Sequence, residues 1–240
     1  MTDHNESNPF VQNMRHRWEA RAQLDHRYFT ASVTFDDETA WREQAAREVK
    51  MYLTDLDPAI VAEGSLLEIG CGPGRLLSGM GRHFKHAVGA DISPKMLAEA
   101  QRACDGLSNV GFARVGGVGF ACFAAEAFDL IMMHAVAIHL PLPIIDLYVR
   151  DAVRVLKPGG HFRFTVYRNA PETERETQTE FLADAKSKIP EGAGDLVWGP
   201  DYQGHAFTDE EIGPFVEGFG YSATRIERLG PWTFGLDLTA

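Results

Sequence analysis

The sequence predicts an α/β fold in which helices cover both faces of a mostly parallel sheet. Three observations lead to this prediction. Short apolar runs alternate with helix signals over residues 61–168, a bend with three glycines follows the first run, and a carboxylate ends the second. Such alternation is typical of parallel strands joined by crossover helices. A chain of 240 residues is long enough for one such domain and a cap.

The first 60 residues lack this alternation and are expected to form an N-terminal helical arm or lid. Residues 9–60 have helical character, including a second helical stretch at about Trp41 to Leu53. The segment from Met1 to Asn8 is polar, does not form a signal peptide, and is expected to be disordered.

The core domain is expected to span residues 61–168. Helices should begin at about Gly74 and at Pro94, and a third should end near Leu156. The run Lys157-Pro158-Gly159-Gly160 is typical of a helix stop followed by a turn. Strands are expected at Ser65–Ile69, His86–Asp91, Val110–Arg114, Asp129–Met133 and His161–Tyr167.

The C-terminal part is less regular. Residues 169–206 are rich in Glu, Thr, Gly and Pro, and predict a substrate-cap insertion with a helix at roughly Glu174–Ser187. Residues 207–240 form the last predicted region. There, Thr208-Asp209-Glu210-Glu211 has the capping-box spacing that opens a helix. Two further strands are expected at Tyr221–Arg228 and Trp232–Asp237.

Charge and composition argue against several classes of partner. The net charge of −11 disfavours nucleic acid, whose phosphates need cationic neutralisation. No apolar run reaches the length of about 18 residues that indicates a membrane span. Three cysteines without a C-x-x-C pair predict free thiols in a reducing compartment. We expect a cytoplasmic protein that acts on a small molecule, without a nucleic-acid, membrane or metal partner; its oligomeric state stays open.

The glycine-rich bend is the strongest signal for a ligand. Gly70, Gly72 and Gly74 alternate with other residues, unlike the G-x-G-x-x-G loop that binds dinucleotides. Glu68 precedes the bend and would repel a pyrophosphate. The bend therefore suits a cationic ligand, or one that offers hydroxyl and ammonium donors. The alternative is a tight strand-to-helix turn without a ligand.

Asp91 ends the next apolar run, after the distance that one helix and one return strand require. A carboxylate at this point can accept hydrogen bonds from both hydroxyls of a ribose. The alternative is a capping carboxylate, since Ser93 and Pro94 open the next helix. Next to the glycine bend, ribose binding is the better interpretation.

Four segments carry a resemblance to a known family. They are Glu68–Gly74, Gly89–Leu97, Phe128–His134 with its tail Ile138–Pro141, and Val155–Phe162. In this order, over roughly residues 60–167, the chain resembles the class I S-adenosylmethionine-dependent methyltransferases. The resemblance implies a Rossmann-like, seven-stranded, mostly parallel sheet that an antiparallel strand pair within residues 207–240 completes.

The resemblance also implies S-adenosyl-L-methionine as the cofactor. In the family the glycine loop lies under the methionine part, the acid before the loop organises it near the ammonium, and the acid after the second strand binds the ribose. These roles carry over to the loop, Glu68 and Asp91. The implied cofactor-binding residues are Glu68, Gly70, Cys71, Gly72, Gly74, Asp91, Ile92, Met96, Gly117, Val118 and His134.

One position departs from the family pattern. Relatives commonly have an acid after the third strand that binds the adenine amino group, and that place falls at Gly117. The adenine would then depend on backbone groups near Val118 and on apolar side chains.

Candidate catalytic residues lie at the ends of the fourth and fifth predicted strands, because ligands bind at the carboxyl ends of parallel strands. His134 and Tyr167 are the candidates, and a histidine can accept a proton near neutral pH. A structural role is equally open for His134. The spacing of His134 and His139 suits no metal site. A substrate or sulfonium pocket is predicted from Trp18, Tyr28, His139, Asn169 and Trp198, with ordinary packing as the alternative for each.

The predicted function is methyl transfer from S-adenosylmethionine to an O, N, S or C nucleophile of a small molecule. One alternative keeps the cofactor but releases methylthioadenosine through intramolecular cyclisation or elimination. Another is a catalytically inactive binding subunit. A nicotinamide oxidoreductase is disfavoured by the glycine spacing and by Glu68.

Overall fold

A computed structural model describes residues 8–31, 34–171, 188–191, 193, 196, 204–230 and 232–240. The chain divides into two compact units. The first comprises the chain up to residue 118 with residues 190–197, and the second comprises residues 119–189 with 198–240. The expected helix at Glu174–Ser187 lies outside the described residues. The division into arm, core, cap and C-terminal region stays a prediction.

Three helices precede the first strand, as expected for the N-terminal arm. They are α1 (Pro9–Asp25), α2 (Glu38–Leu53) and α3 (Pro58–Glu63). Each follows an Asn or Asp whose side-chain oxygen accepts a backbone N–H of the first turn. Such caps satisfy amide donors that have no partner inside the helix.

The first unit contains three parallel strands, and their bounds confirm the sequence prediction. They are β1 (Ser65–Ile69), β2 (His86–Asp91) and β3 (Val110–Arg114), with β2 paired to both others. Leu66 and Leu67 are neighbours in β1, so they point to opposite faces of the sheet. Both are fully buried, which shows that packing covers both faces of this strand.

The two crossover helices of the first unit differ from each other in regularity. Helix α4 spans only Leu77–Met80. It begins three residues after the predicted start at Gly74. Helix α5 (Pro94–Ala103) begins as predicted, with Ser93 Oγ accepting the Met96 amide at 3.1 Å.

The second unit continues the α/β pattern. Strands β4 (Phe128–Met133) and β5 (Leu156–Arg168) are parallel, and helix α6 (Leu142–Val155) connects them after a 3₁₀ turn at Ala137–His139. Strand β5 begins earlier than expected and includes the run Lys157–Gly160. The Gly159 amide donates to the Ala240 carbonyl at 2.8 Å, so the end of the chain extends the sheet there.

The C-terminal elements complete the second unit. They are β6 (Ala206–Phe207), α7 (Ile212–Val216), β7 (Ala223–Gly230) and β8 (Thr233–Thr239). The strand order is β4-β5-β8-β7, and β8 runs antiparallel to both neighbours. The sequence missed the short β6, which pairs parallel with β5. The predicted antiparallel pair is present.

The capping box predicted for the last helix is formed. The Thr208 amide donates to Glu211 Oε2 at 2.9 Å, and the Glu211 amide donates to Thr208 Oγ1 at 3.2 Å. The predicted α/β fold class is thus confirmed in both units. Among the described residues, no helix is both long and apolar enough to cross a membrane.

Candidate functional site

The glycine bend after β1 has the backbone conformation that its composition predicts. Gly70, Gly72 and Gly74 have φ angles of 67°, 54° and 80°, in the region where a side chain causes strain. The amides of Gly70 and Cys71 both donate to the Ala90 carbonyl of β2, at 2.7 and 3.1 Å. The bend is therefore fixed to the neighbouring strand and is not a free loop.

Glycine is also required by close packing beneath the bend. A Cβ at Gly74 would lie 2.9 Å from the Cα of Ala100 in α5. A Cβ at Gly89 would lie 2.3 Å from Leu77 and 3.1 Å from the Cys71 sulfur. Cys71 is buried, and burial raises the pKa of its thiol, so the residue acts as a packing group.

Asp91 connects the bend to the start of α5. Its carboxylate is 7% exposed, and it accepts the Gly72 amide at 2.9 Å and the Ser93 amide at 2.8 Å. Burial raises its pKa to about 6, against the opposing effect of the backbone donors. Each oxygen accepts one of these two amides and has a further lone pair that can accept a hydroxyl.

Glu68 is the second acid of the site, and it is 3% exposed. No described residue donates a hydrogen bond to its Oε2 atom, which is fully covered. Burial raises the pKa of Glu68 to about 8, although the Arg75 cation opposes the shift. A buried acceptor without a donor is unfavourable, so a ligand with an ammonium or hydroxyl group would stabilise it.

Helix α1 of the arm contacts the same part of the first unit. Glu19 Oε2 accepts the Ser93 hydroxyl at 2.6 Å and the Lys95 amide at 3.2 Å. Together with Asp91 and Gly72, this forms a continuous chain of hydrogen bonds from the arm to the bend. The sequence analysis missed Glu19, because nothing local in α1 distinguishes it from other charged residues.

The backbone conformation at Gly117 disfavours an acid there. Gly117 has a φ angle of 84°, and its Cβ position lies 2.7 Å from both Met14 Cε and Ile92 Cδ1. In addition, Arg15 Nη2 donates to the Gly116 carbonyl at 3.1 Å. Helix α1 thus lies against Gly117, and the positive φ angle is the main reason why an acidic side chain would be strained at this position.

The remaining candidates of the first unit have these positions. Ile92 follows Asp91, Met96 is buried in α5, and Val118 is partly exposed. Trp18 lies in α1 with the Arg21 guanidinium carbon 4.8 Å from its ring centroid. Tyr28 is buried, with edge-to-face contacts to two phenylalanines, which supports its packing interpretation.

The second unit holds the other candidates. His134 follows β4 and is partly exposed, whereas His139 is buried in the 3₁₀ turn. Tyr167 lies in β5, and burial raises the pKa of its hydroxyl. Asn169 is exposed, and its backbone N–H donates to the Phe207 carbonyl at 2.8 Å. Trp198 lies outside the described residues.

Metal-binding side chains do not cluster in the part of the chain that the structure describes. There, no group of three or more His, Cys, Asp or Glu residues is placed to hold an ion.

The part of the chain that contains the glycine bend is similar to known proteins. Residues 66–160 match the family described as "Methyltransferase domain". The chain is 29% identical over 128 residues to a demethylmenaquinone methyltransferase of Tropheryma whipplei, covering 53% of this chain and 48% of that protein. It is 30% identical over 114 residues to a ubiquinone biosynthesis O-methyltransferase of Ralstonia nicotianae, covering 47% of each. The chain therefore spans about half the length of these relatives.

A solved structure resembles the whole chain. The protein described as "DhpI-SAH complex structure" superimposes with a TM-score of 0.65 at 18% identity, covering 97% of each chain. At this identity the likeness supports the fold, and it agrees with the α/β architecture of both units.

Alanine at Gly74 should test the packing beneath the bend. Gly106 is a matched control, because its φ angle of 81° is close to the 80° of Gly74 but nothing lies within 4 Å of its Cβ position. Both substitutions should cost about 1–2 kcal/mol of backbone strain. Gly74→Ala should cost a further ~1–3 kcal/mol of overpacking, measured by urea unfolding. Equal losses would contradict the close approach of α5.

The buried acid at Glu68 should make stability depend on pH. Its pKa of about 8 lies above the usual 4.5, so the folded state binds this proton more tightly than the unfolded state. The free energy of unfolding should then fall as pH rises from about 5 to 8, by up to about 1.4 kcal/mol per pH unit from this group. Glu68→Gln should lack this fall in urea unfolding at stepped pH. Parallel pH profiles of the two proteins would contradict the assignment.

Proposed function

We propose, from the match of residues 66–160 to the methyltransferase domain family, that this chain transfers the methyl group of S-adenosylmethionine to a small molecule. The observation that supports this most is the glycine bend between two buried acids, Glu68 and Asp91. Its backbone can approach a ligand closely, since no Cβ projects from the three glycines.

The chemistry of the site fits S-adenosylmethionine. Asp91 has lone pairs for the two ribose hydroxyls, and its two amide partners fix the carboxylate before any ligand binds. The covered Oε2 of Glu68 suits the ammonium group of the methionine part. Ile92 and Met14 meet at Gly117 and offer apolar surface for the adenine.

The residues of the chain act mainly by binding and orientation. When bound, the cofactor supplies an electrophilic methyl group on a positively charged sulfur. Holding an acceptor in line with this group is itself a large part of catalysis, and exclusion of water prevents competing reactions. His134 is our candidate for accepting a proton from the acceptor, and Tyr167 is a candidate for positioning it.

We propose a small-molecule acceptor and a cytoplasmic location. The net charge of −11 disfavours a polyanionic substrate. The names of the two relatives described above refer to small molecules. So does the name of a fatty-acid O-methyltransferase of Mycolicibacterium smegmatis, to which this chain is 30% identical over 142 residues. The acceptor atom of this chain is left as O, N, S or C.

Removal of the Asp91 carboxylate should weaken cofactor binding. Asp91→Ala loses two charged hydrogen bonds to the ribose, and the affinity for S-adenosylhomocysteine should fall by about 1.5–3 kcal/mol in titration calorimetry. Asp105→Ala is a control, because this residue is exposed in the turn that directly follows α5. Thermal unfolding reports any loss of fold. Unchanged affinity of a folded Asp91→Ala protein would contradict the ribose assignment.

Product analysis distinguishes the proposed reaction from its alternatives. Incubation with S-adenosylmethionine and an acceptor should yield S-adenosylhomocysteine, with little product when the acceptor is left out. Methylthioadenosine formed from the cofactor alone would instead indicate cyclisation or elimination, and absence of cofactor binding would indicate an inactive subunit.

In the same assay, His134→Ala should lose turnover and keep S-adenosylhomocysteine affinity if His134 accepts a proton.

A further inference from the structure

Two arginines lie against one indole ring beside the glycine bend. The guanidinium carbon of Arg27 is 4.6 Å from the Trp41 ring centroid, and that of Arg75 is 5.5 Å from it. We call these three residues the Trp41 cluster. Such cation–π contacts hold guanidinium groups in fixed positions. The cluster belongs wholly to the first unit and has no role in the proposed binding of ribose or adenine.

The cluster contains hydrogen-bond donors without acceptors. Within the described residues, nothing accepts from the buried Nε and Nη2 atoms of Arg27 or from the buried Nε of Arg75. The Arg75 side chain is only 3% exposed, so water cannot satisfy it freely. Buried donors are normally paired, and each unpaired one costs stability. Such donors indicate a ligand rich in oxygen acceptors.

The carboxylates near the cluster use only some of the hydrogen-bond donors of its two guanidinium groups. Arg27 Nη1 pairs with Glu38 at 3.0 Å, but the Glu38 side chain is 56% exposed, and such pairs contribute little. Arg75 Nη1 pairs with Glu48 at 2.5 Å. Neither contact uses the Nε edges, and a guanidinium can bind an oxyanion through two parallel N–H groups.

The cluster lies next to the bend. Arg75 directly follows Gly74, and Thr30, in the turn that begins at Arg27, lies 3.5 Å from the Cβ position of Gly72. Helix α2, which carries Trp41, packs on α4 through Val49, 2.9 Å from the Cβ position of Gly79. An oxyanion held by the cluster would therefore be within reach of a ligand on the bend.

We propose that Arg27 and Arg75, held by Trp41, form an oxyanion subsite for a carboxylate or phosphate group beside the glycine bend. The identity of the molecule that carries this group rests on the proposed function. It is either the cofactor, through its carboxylate, or the methyl acceptor. The subsite itself rests on the orphaned donors and the position of the cluster.

The first experimental arm asks whether the cofactor's carboxylate occupies the subsite. Calorimetry would compare S-adenosylhomocysteine with its decarboxylated analogue, 5′-S-(3-aminopropyl)thioadenosine. If it does, Arg27→Gln should lower the affinity for S-adenosylhomocysteine by roughly 10- to 100-fold and leave the affinity for the analogue unchanged within about twofold. Arg47→Gln is the matched control, because Arg47 is an arm arginine with a 69% exposed side chain.

The second arm asks whether an acceptor's oxyanion occupies the subsite. Inorganic phosphate and acetate would be titrated at constant ionic strength into protein saturated with S-adenosylhomocysteine, followed by tryptophan fluorescence. Trp41→Phe identifies the signal that comes from the cluster. If the acceptor fills the subsite, Arg27→Gln should lower the affinity for one of these anions by at least about tenfold, and the affinity for S-adenosylhomocysteine should stay the same.

The outcomes decide the proposal. Equal behaviour of Arg27→Gln and Arg47→Gln in both arms would overturn the subsite. Arg27→Lys keeps the charge but not the planar fork, so it should lose affinity to an intermediate extent, and it serves if Arg27→Gln does not fold. If the wild type does not bind S-adenosylhomocysteine, the proposed function fails. The anion titration then proceeds on the free protein and still decides the subsite.

Discussion

The buried carboxylate of Asp91 is the interaction on which the candidate site depends. One of its oxygens holds the Gly72 amide of the bend, and the other holds the Ser93 amide at the start of α5. Burial of this charge is costly, as its raised pKa of about 6 indicates, and the backbone donors offset part of the cost. Because Ser93 also donates to Glu19 of α1, the arm is coupled to the same acid. The carboxylate that we propose as the ribose acceptor is thus held in place by the protein's own backbone donors.

The parts of the fold that the sequence predicted are those where the backbone dictates the residue type. A positive φ selects glycine, so Gly70, Gly72 and Gly74 could be recognised without a structure. The bounds of β1 to β3 were also predicted, since apolar runs end at polar or glycine residues there. The start of β5 was missed because it depends on a partner that is distant in sequence. The Gly159 amide there donates to the carbonyl of Ala240.

The site residues that were missed depend on contacts between distant segments. Glu19 bonds to Ser93, and Met14 of the same helix occupies the space at Gly117. Nothing within α1 marks either residue, because hydrophobic period and charge pattern report only which face is buried. The substitution at Gly117, by contrast, was visible in the sequence as a departure from the family. The structure adds that Gly117 has a φ angle of 84° and that Met14 and Ile92 lie against it.

The charged groups around the bend fall into two sets of opposite sign. Glu68 and Asp91 are buried acids with raised pKa values of about 8 and 6, so they favour a ligand with positive charge or hydroxyl donors. The Trp41 cluster offers cationic donors from which no described residue accepts, and it favours negative charge. Arg75 links the two groups: its cation opposes the upward pKa shift of Glu68, and its Nε finds no acceptor among the described residues. A ligand that carries both an ammonium and an oxyanion would supply a partner to each group, and those contacts would have to offset the cost of desolvating both of its charges.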